Sequence, residues 1–220
     1  KWTEIEKLNN EKEVVGFYIS GHPLDQYKLQ IDSFCNATLE DLQDLEELRA
    51  TKKGEIRIAG SVSGVDLRDY NGRPFALFNV EDYTGSSRLA LFGEEYLKAQ
   101  HLLQAGLFIR VCGKIEFSKK KEQWNFNVKK VELLAEVGQD KEAVGMFIDL
   151  EIKEITEVLL DDLEVLFEQH EGKCPVKFRI KDIEQKMQVP LKSLSIKIQP
   201  NNKLVKSLER LKVDYRLVYK

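Results

Sequence analysis

Apolar residues in the first fifty positions recur at the three- and four-residue spacing of a helix surface. Gly21 is placed to end this helix, and Pro23 to begin another, since proline lacks the N–H that a first helical position leaves unpaired. The segment 1–53 therefore predicts a helical connector. The first apolar series consists of Trp2, Ile5, Leu8, Val15 and Ile19.

A second apolar stripe ends before Gly54. Thr38 and Asp41 resemble a capping box, in which each residue satisfies a backbone N–H of the other at a helix start. This arrangement predicts that one further helix completes the connector. The stripe consists of Leu39, Leu42, Leu45 and Leu48.

From residue 56 the apolar spacing falls to nearly two, which indicates strands. Three strands, a helix and two strands follow in the order typical of a five-stranded OB-fold β-barrel, over residues 54–137. Gly60 and Gly64 suit the sharp coiling of a small barrel. The predicted strands are 56–67, 75–81, 88–92, 107–116 and 123–131, with the helix at 94–104.

In residues 145–220 apolar and polar positions alternate again, and helical spacing recurs between them, which predicts a small αβ domain. The order βαββαβ suggests a ferredoxin-like sandwich with both helices on one face of an antiparallel sheet. A partial doubly wound sheet is the alternative. The fold class is thus α+β and multidomain. The predicted elements are strands 146–152, 176–181, 194–198 and 213–217, a helix at 155–167, and a helix capped by Asn201.

Charge divides the chain of 220 residues unevenly, although its net charge is only −3. Residues 1–50 hold 5 Lys or Arg against 11 Asp or Glu, 51–140 hold 14 against 12, and 141–220 hold 15 against 14. Only the middle segment suits a nucleic-acid binder, and it is mildly basic. Strong non-specific DNA binding is therefore not expected.

Other features bear on location and chemistry. No apolar run approaches the roughly 18 residues that span a bilayer, which argues against a membrane partner. The start at Lys1, without Met or a leader, predicts a piece of an intracellular, cytoplasmic protein. The three cysteines and three histidines are scattered and support neither a zinc site nor a disulfide framework. These residues are Cys35, Cys112, Cys174, His22, His101 and His170.

Three segments carry a resemblance to a known family. The run EKEVVGFYISGHPL at 11–24 resembles the joint that precedes the OB domain in the bacterial DNA polymerase III alpha subunit. GRPFALFNVEDYTG at 72–85 resembles that OB domain, and EGKCPVKFRI at 171–180 is similar to the tau-binding terminal domain. The matching joint positions are Glu11, Glu13, Gly16, Tyr18, Ser20, Gly21, His22, Pro23 and Leu24.

The resemblance implies a non-catalytic tail of a replicative polymerase. In that family, Asp carboxylates of a palm domain catalyse DNA-directed, metal-assisted nucleotidyl transfer, and the palm precedes everything present here. Magnesium therefore belongs to the parent enzyme, and no cofactor is expected in this piece. Asp161 and Asp162 sit in a helical pattern and are interpreted as solvated surface. The implied partners are single-stranded template DNA, the clamp-loader tau subunit and the rest of the alpha chain.

The candidate DNA-contacting residues follow from the predicted second strand. If Ala76, Phe78 and Val80 face the core, Phe75 faces outward beside cations, and single strands bind where aromatic faces stack on bases and cations track phosphates. The alternative is that Phe75, Phe92 and Trp124 are core or interface residues. Nearby carboxylates predict modest affinity. The candidates are Arg68, Arg73, Phe75, Arg88, Lys119, Lys120 and Lys121.

Two other functions remain open from the sequence. One is an anticodon-binding OB barrel of a tRNA synthetase, which the helical joint before the barrel and the short domain after it disfavour. The other is a pure interaction module whose barrel packs on the polymerase without touching nucleic acid. His22 between Gly21 and Pro23 is interpreted as a cap or packing residue, because no Ser or Asp arrangement identifies it as a base.

Overall fold

The computed structural model describes residues 4–15 and 18–220. It divides into two compact units, Lys1–Gly138 and Gln139–Lys220. Each unit contains a sheet, helices and buried apolar clusters of its own. The predicted α+β class, with an OB-fold barrel and a smaller αβ domain, is confirmed.

The described part of the connector contains three α-helices, α1 (Glu4–Val15), α2 (Lys28–Phe34) and α3 (Leu45–Thr51). Short 3-10 turns lie at Pro23–Tyr27 and Asp41–Gln43. The prediction of one continuous helix along the leucine stripe is wrong. The Asp44 side chain accepts a hydrogen bond of 2.9 Å from the Glu47 N–H, and this cap starts a separate helix.

Some positions of the first apolar series cannot be compared with the structure. Trp2 and Gly16 lie outside the described residues, as do the side chains of Ile5 and Val15. Pro23 does begin a short helix, as its sequence context predicts.

The barrel contains five strands and one helix in the predicted order. They are β1 (Ile56–Tyr70), β2 (Arg73–Glu81), β3 (Ser86–Phe92), α4 (Gly93–Ala99), β4 (Phe108–Ser118) and β5 (Gln123–Leu133). The spatial order is β3-β2-β1-β4-β5, with antiparallel neighbours throughout. The two end strands, β3 and β5, approach each other. Phe78 and Ile58 are fully buried in the resulting core.

The two glycines of β1 have different structural roles. A Cβ on Gly60 would lie 2.4 Å from Cγ1 of Val80 and 2.6 Å from the carbonyl oxygen of Glu81. Only glycine permits this close approach of β1 to β2. Gly64 instead follows a shift in the register of β1 against β2, and a Cβ there would meet only the side-chain nitrogen of Asn79, at 3.5 Å.

The second unit has the predicted element order, βαββαβ. Its elements are β6 (Ala143–Glu151), α5 (Glu157–Gln169), β7 (Glu171–Asp182), β8 (Met187–Ile198), α6 (Asn202–Arg210) and β9 (Asp214–Tyr219). Strands β7 and β8 are longer than predicted. The polar stretch before residue 194 gave no strand signal for the first part of β8, and Gly172 and Pro175 concealed the start of β7. Strand β8 forms an edge of the sheet, where Pro190 is tolerated.

The sheet of the second unit contains both parallel and antiparallel strand pairs. The prediction of an antiparallel, ferredoxin-like sheet is therefore wrong about which strands are neighbours. The spatial order is β8-β7-β6-β9, and β6 pairs directly with β7 in parallel. The α5 crossover returns the chain beside β6, and β8 then folds back antiparallel on the outer side of β7. Alternation along a strand gives its two faces and does not specify its neighbours.

Both helices of this unit pack on the same face of its sheet. Met146, Ile148 and Val176 form a buried cluster with Leu163 of α5 and Leu204 of α6. Neither helix contributes to the other face, which carries Phe147 and the residues paired with it across the sheet.

Candidate nucleic-acid interface

Strands β1, β2 and β3 present one continuous outward face. Phe75 of β2 is paired with Arg68 of β1 and with Phe92 of β3, while Leu77 is paired with Asp66. The intervening residues Ala76, Phe78 and Val80 are fully buried. The sequence interpretation of the two faces of β2 is therefore confirmed, and Phe75 lies on the outward face.

An aromatic platform occupies one end of this face. The rings of Phe75 and Phe92 are stacked, with centroids 5.0 Å apart and planes inclined by 24°. Phe75 is half-buried, whereas Phe92 is 58% exposed. Each ring covers one side of the other, so the platform offers an apolar surface centred on Phe92, which the candidate set did not include.

Two arginines share one carboxylate beside this platform. Arg68 donates from Nε and Nη2 to Oδ2 of Asp66, at 2.9 and 2.7 Å, and Nη2 of Arg88 lies 3.0 Å from the same oxygen. The hydrogen bonds from Arg68 hold the pKa of Asp66 below its ordinary value, and both guanidinium charges also contribute. The trio carries a net positive charge, and its side chains are about half exposed.

The remaining candidates lie outside this trio. Arg73 is exposed at the start of β2, where it is paired with Tyr70. Lys119, Lys120 and Lys121 are exposed in the turn between β4 and β5. The structure thus brings Arg68, Phe75 and Arg88 together on one face, and it places the three lysines on a different hairpin of the barrel.

Trp124 belongs to a second aromatic group, which the sequence interpretation missed. Its ring makes an edge contact with Phe117, its cross-strand partner, at 5.1 Å between centroids. The guanidinium carbon of Arg49, from α3, lies 4.5 Å from the Trp124 centroid. The sequence signal for this group was that Phe117 and Trp124 lie on either side of the lysine turn, so that a hairpin there brings them together.

The joint motif packs against the turn between β2 and β3. The N–H of Leu24 donates to Nδ1 of His22 at 3.2 Å, so the imidazole caps the turn beginning at Pro23. The His22 ring also lies 4.3 Å from the Tyr83 ring, and the Tyr83 hydroxyl donates to Asp25 at 3.0 Å. The capping and packing interpretation of His22 is confirmed.

The second unit carries an open groove between α5 and β8, with a volume of about 820 Å³. Leu194 at its rim is 92% exposed and Leu160 is 48% exposed. Three carboxylates and one lysine, Lys197, line the groove together with its apolar residues. The main lining residues are Leu160, Leu163, Phe167, Phe178, Leu194, Ile196, Glu164, Glu168 and Glu171.

The described residues include no group of three or more His, Cys, Asp or Glu side chains arranged to hold a metal ion. Burial raises the pKa of Cys35 to about 12 and that of Cys174 to about 11, so both thiols are protonated at neutral pH and poorly nucleophilic. Within the same part of the chain, no helix has the length and apolar character needed to cross a membrane.

Comparisons with known proteins agree with this architecture. Residues 56–134, which span the barrel, match the family described as OB-fold nucleic acid binding domain. Residues 146–218, nearly the whole second unit, match the family described as DNA polymerase III alpha subunit, C-terminal domain. The resemblance seen in the sequence, to the C-terminal region of the bacterial DNA polymerase III alpha subunit, is therefore confirmed.

Full-length relatives are similar over part of their length. The alpha subunit of Borreliella burgdorferi is 34% identical over 55% of this chain and 10% of the relative. That of Escherichia coli O157:H7 is 24% identical over 96% of this chain and 18% of the relative. The chain thus spans less than a fifth of either. The solved OB domain of Ta0387 from Thermoplasma acidophilum is 16% identical, with a TM-score of 0.31, over 44% of this chain and 84% of that domain.

Proposed function

We propose that the barrel of this chain binds single-stranded template DNA, that its second unit docks the clamp-loader tau subunit, and that the chain itself catalyses no reaction. Nucleotidyl transfer and the magnesium it requires are assigned to the preceding part of the parent polymerase. The observation that carries the DNA-binding proposal is the outward face of β1–β3, where an exposed aromatic platform adjoins two arginines held by one carboxylate.

The physical basis is the chemistry of sequence-tolerant binding to single strands. A base stacked on an aromatic ring contributes about 1–3 kcal/mol, and cations along the path contact the phosphates. The exposed ring of Phe92 supplies the first interaction, and Arg68, Arg88 and Arg73 supply the second. Asp66 neutralises part of this charge, which favours modest affinity and release of the template as it advances.

A salt titration tests the DNA-binding proposal. The parent chain and a barrel variant are titrated with a labelled single-stranded oligonucleotide at several salt concentrations. Each lost phosphate contact should lower the slope of log affinity against log salt by about 0.7. We expect the variant to bind more weakly, with a shallower slope. The barrel variant carries Arg68→Gln, Arg73→Gln, Arg88→Gln and Lys120→Gln.

A control variant removes the same number of charges from helices. For this control, the slope of log affinity against log salt should equal that of the parent chain. If the parent shows no salt-dependent binding at all, the barrel is an interaction module and the DNA-binding proposal is refuted. The control carries Lys7→Gln, Lys28→Gln, Lys98→Gln and Lys206→Gln.

Docking of the tau subunit is supported by the groove in the second unit. Leu160 and Leu194 expose a large apolar surface to solvent, which is typical of a protein contact site. The acidic rim favours a partner segment that combines apolar and basic residues. We expect L160Q with L194Q to weaken binding to isolated tau at least tenfold, measured by surface plasmon resonance.

The control for tau docking is V158Q, because Val158 is 70% exposed on the same helix and does not line the groove. It should bind tau as the parent chain does. If the groove variant binds tau as tightly as the parent chain does, the groove is not the tau-docking site.

A further inference from the structure

The sheet of the second unit has strongly unequal charge on its two sides. The side covered by helices includes α5, which bears five carboxylates and no Lys or Arg between Glu157 and Gln169, and α6, which bears three cations and one carboxylate. The strand register places mostly cations on the opposite, open face. Cations on this face are Lys177, Arg179, Lys181, Lys192 and Arg216, and the carboxylates are Asp149, Glu151 and Asp214.

Three of these cations are not neutralised by ion pairs. Arg179 and Lys181 both pair with Asp149, Lys181 at 2.7 Å. In contrast, Lys177, Lys192 and Arg216 have no carboxylate within 4.0 Å among the residues that the structure describes. The pairing of Lys177 with Lys192 across β7 and β8 sets two like charges side by side. This repulsion is relieved when a polyanion lies over the strands.

An aromatic ring lies among these cations and orders them. The Phe147 centroid is 5.1 Å from Nζ of Lys177, 5.7 Å from the guanidinium carbon of Arg179 and 5.0 Å from that of Arg216. Cation–π attraction to one ring positions side chains that would otherwise sample many rotamers. The entropy cost of arranging them for a ligand is reduced accordingly.

We propose that this open face, the basic sheet face, is a second binding surface for single-stranded nucleic acid, separate from the barrel. Its unpaired cations bind successive phosphates, and the guanidinium groups around Phe147 stack on bases. Flat π groups among the cations favour a nucleic acid over an acidic peptide, which offers nothing to stack on them. The carboxylates of α5, on the other side of the sheet, repel the same ligand, although α6 on that side carries Lys203, Lys206 and Arg210.

The decisive experiment uses the full 220-residue chain and a labelled single-stranded oligonucleotide. The sheet variant carries K177Q, K192Q and R216Q, none of which breaks an ion pair. We expect weaker binding and a salt slope lower by about 2, or about 0.7 for each lost phosphate contact. The matched control removes the same charges from α6 and the turn that follows it, with K203Q, R210Q and K212Q, and should behave as the parent chain does.

A barrel-deficient background separates this proposal from the proposed function. The sheet substitutions are combined with the barrel variant defined above. Binding is then compared among the parent chain, the sheet variant, the barrel variant and the combined variant. If the barrel does not bind the oligonucleotide, only the sheet substitutions reduce binding. If the barrel alone binds it, the sheet substitutions have no effect, and the proposed role of the basic sheet face is refuted. An oligonucleotide with photoreactive bases should cross-link to peptides containing Phe147 or Arg216, and their absence from the cross-linked set also refutes it.

A peptide arm tests for an acidic protein partner. A polyglutamate peptide of equal charge is added as competitor against the oligonucleotide. We expect it to compete at least tenfold less well, because it cannot stack on the Phe147 group. Equal competition would overturn the nucleic-acid assignment in favour of an acidic peptide.

Discussion

At the residue scale, Asp66 determines how the barrel face presents its charge. Its single carboxylate fixes both Arg68 and Arg88 while cancelling one of their charges. Because all three side chains are about half exposed, the pairs contribute little to stability, and their main effect is on geometry and potential. Asp66 is thus the residue at which removing a negative charge should strengthen DNA binding.

The substitution Asp66→Asn tests this role. The amide keeps the shape of the side chain and removes the charge, so both arginines become available to phosphate. We expect tighter binding of a single-stranded oligonucleotide at low salt, by several-fold, and a salt slope steeper by up to about 0.7. Fluorescence anisotropy at several salt concentrations measures both quantities.

The control is Asp69→Asn, since Asp69 lies on the same strand and its carboxylate accepts from the Gly72 N–H instead of pairing with an arginine. It should change affinity less than Asp66→Asn does. Weaker binding by Asp66→Asn would show that the ordering of the arginines outweighs the charge removed.

At the element scale, the close approach of β1 to β2 depends on one glycine. The Cβ of any other residue at position 60 would overlap Val80 and the backbone of Glu81. Backbone atoms cannot move aside as the end of a flexible side chain does, so the barrel must distort. The neighbouring Gly64 has ordinary room around it and serves as an internal comparison.

We expect Gly60→Ala to lower the free energy of unfolding of the barrel unit by about 1–3 kcal/mol, the usual cost of overpacking. Gly64→Ala should change it much less, because its Cβ would make only an ordinary contact with Asn79. Urea denaturation of both variants, followed by circular dichroism, gives the comparison. Equal destabilisation by the two substitutions would contradict the role assigned to Gly60.

At the scale of the whole molecule, two units with separate cores meet in sequence near Gly138. Lys141 lies in the exposed stretch just beyond this boundary and before β6. A backbone segment of this kind, outside either core, is where proteases cut a folded chain. The division also bears on the predicted domain limits, because the connector and the barrel fall within one unit.

Limited trypsin digestion tests this organisation. We expect early cleavage at Lys141 and two protected fragments that each unfold cooperatively, because each retains its own buried cluster. Mass spectrometry identifies the cut, and K141Q should slow it. Early cleavage within the connector, between residues 18 and 53, would show that the connector is not held to the barrel as the contacts of His22 and Tyr83 indicate.

The sequence determined the elements and their order because local periodicity, capping residues and turn signals act over a few positions. It therefore gave the barrel order, the two faces of β2, the Asn201 cap and the turn start at Pro23. The outward position of Phe75 rested on an assumption about which face is buried, and the structure supports that assumption.

Only the tertiary structure decided which strands are neighbours and which side chains meet. Those contacts join residues far apart in sequence, such as Asp66 with Arg88 and Trp124 with Arg49. The direct pairing of β6 with β7 likewise arises from the path of the α5 crossover. Local patterns carry no information on such long-range pairings, and for that reason both the charge-sharing arginines and the basic sheet face became visible only in the fold.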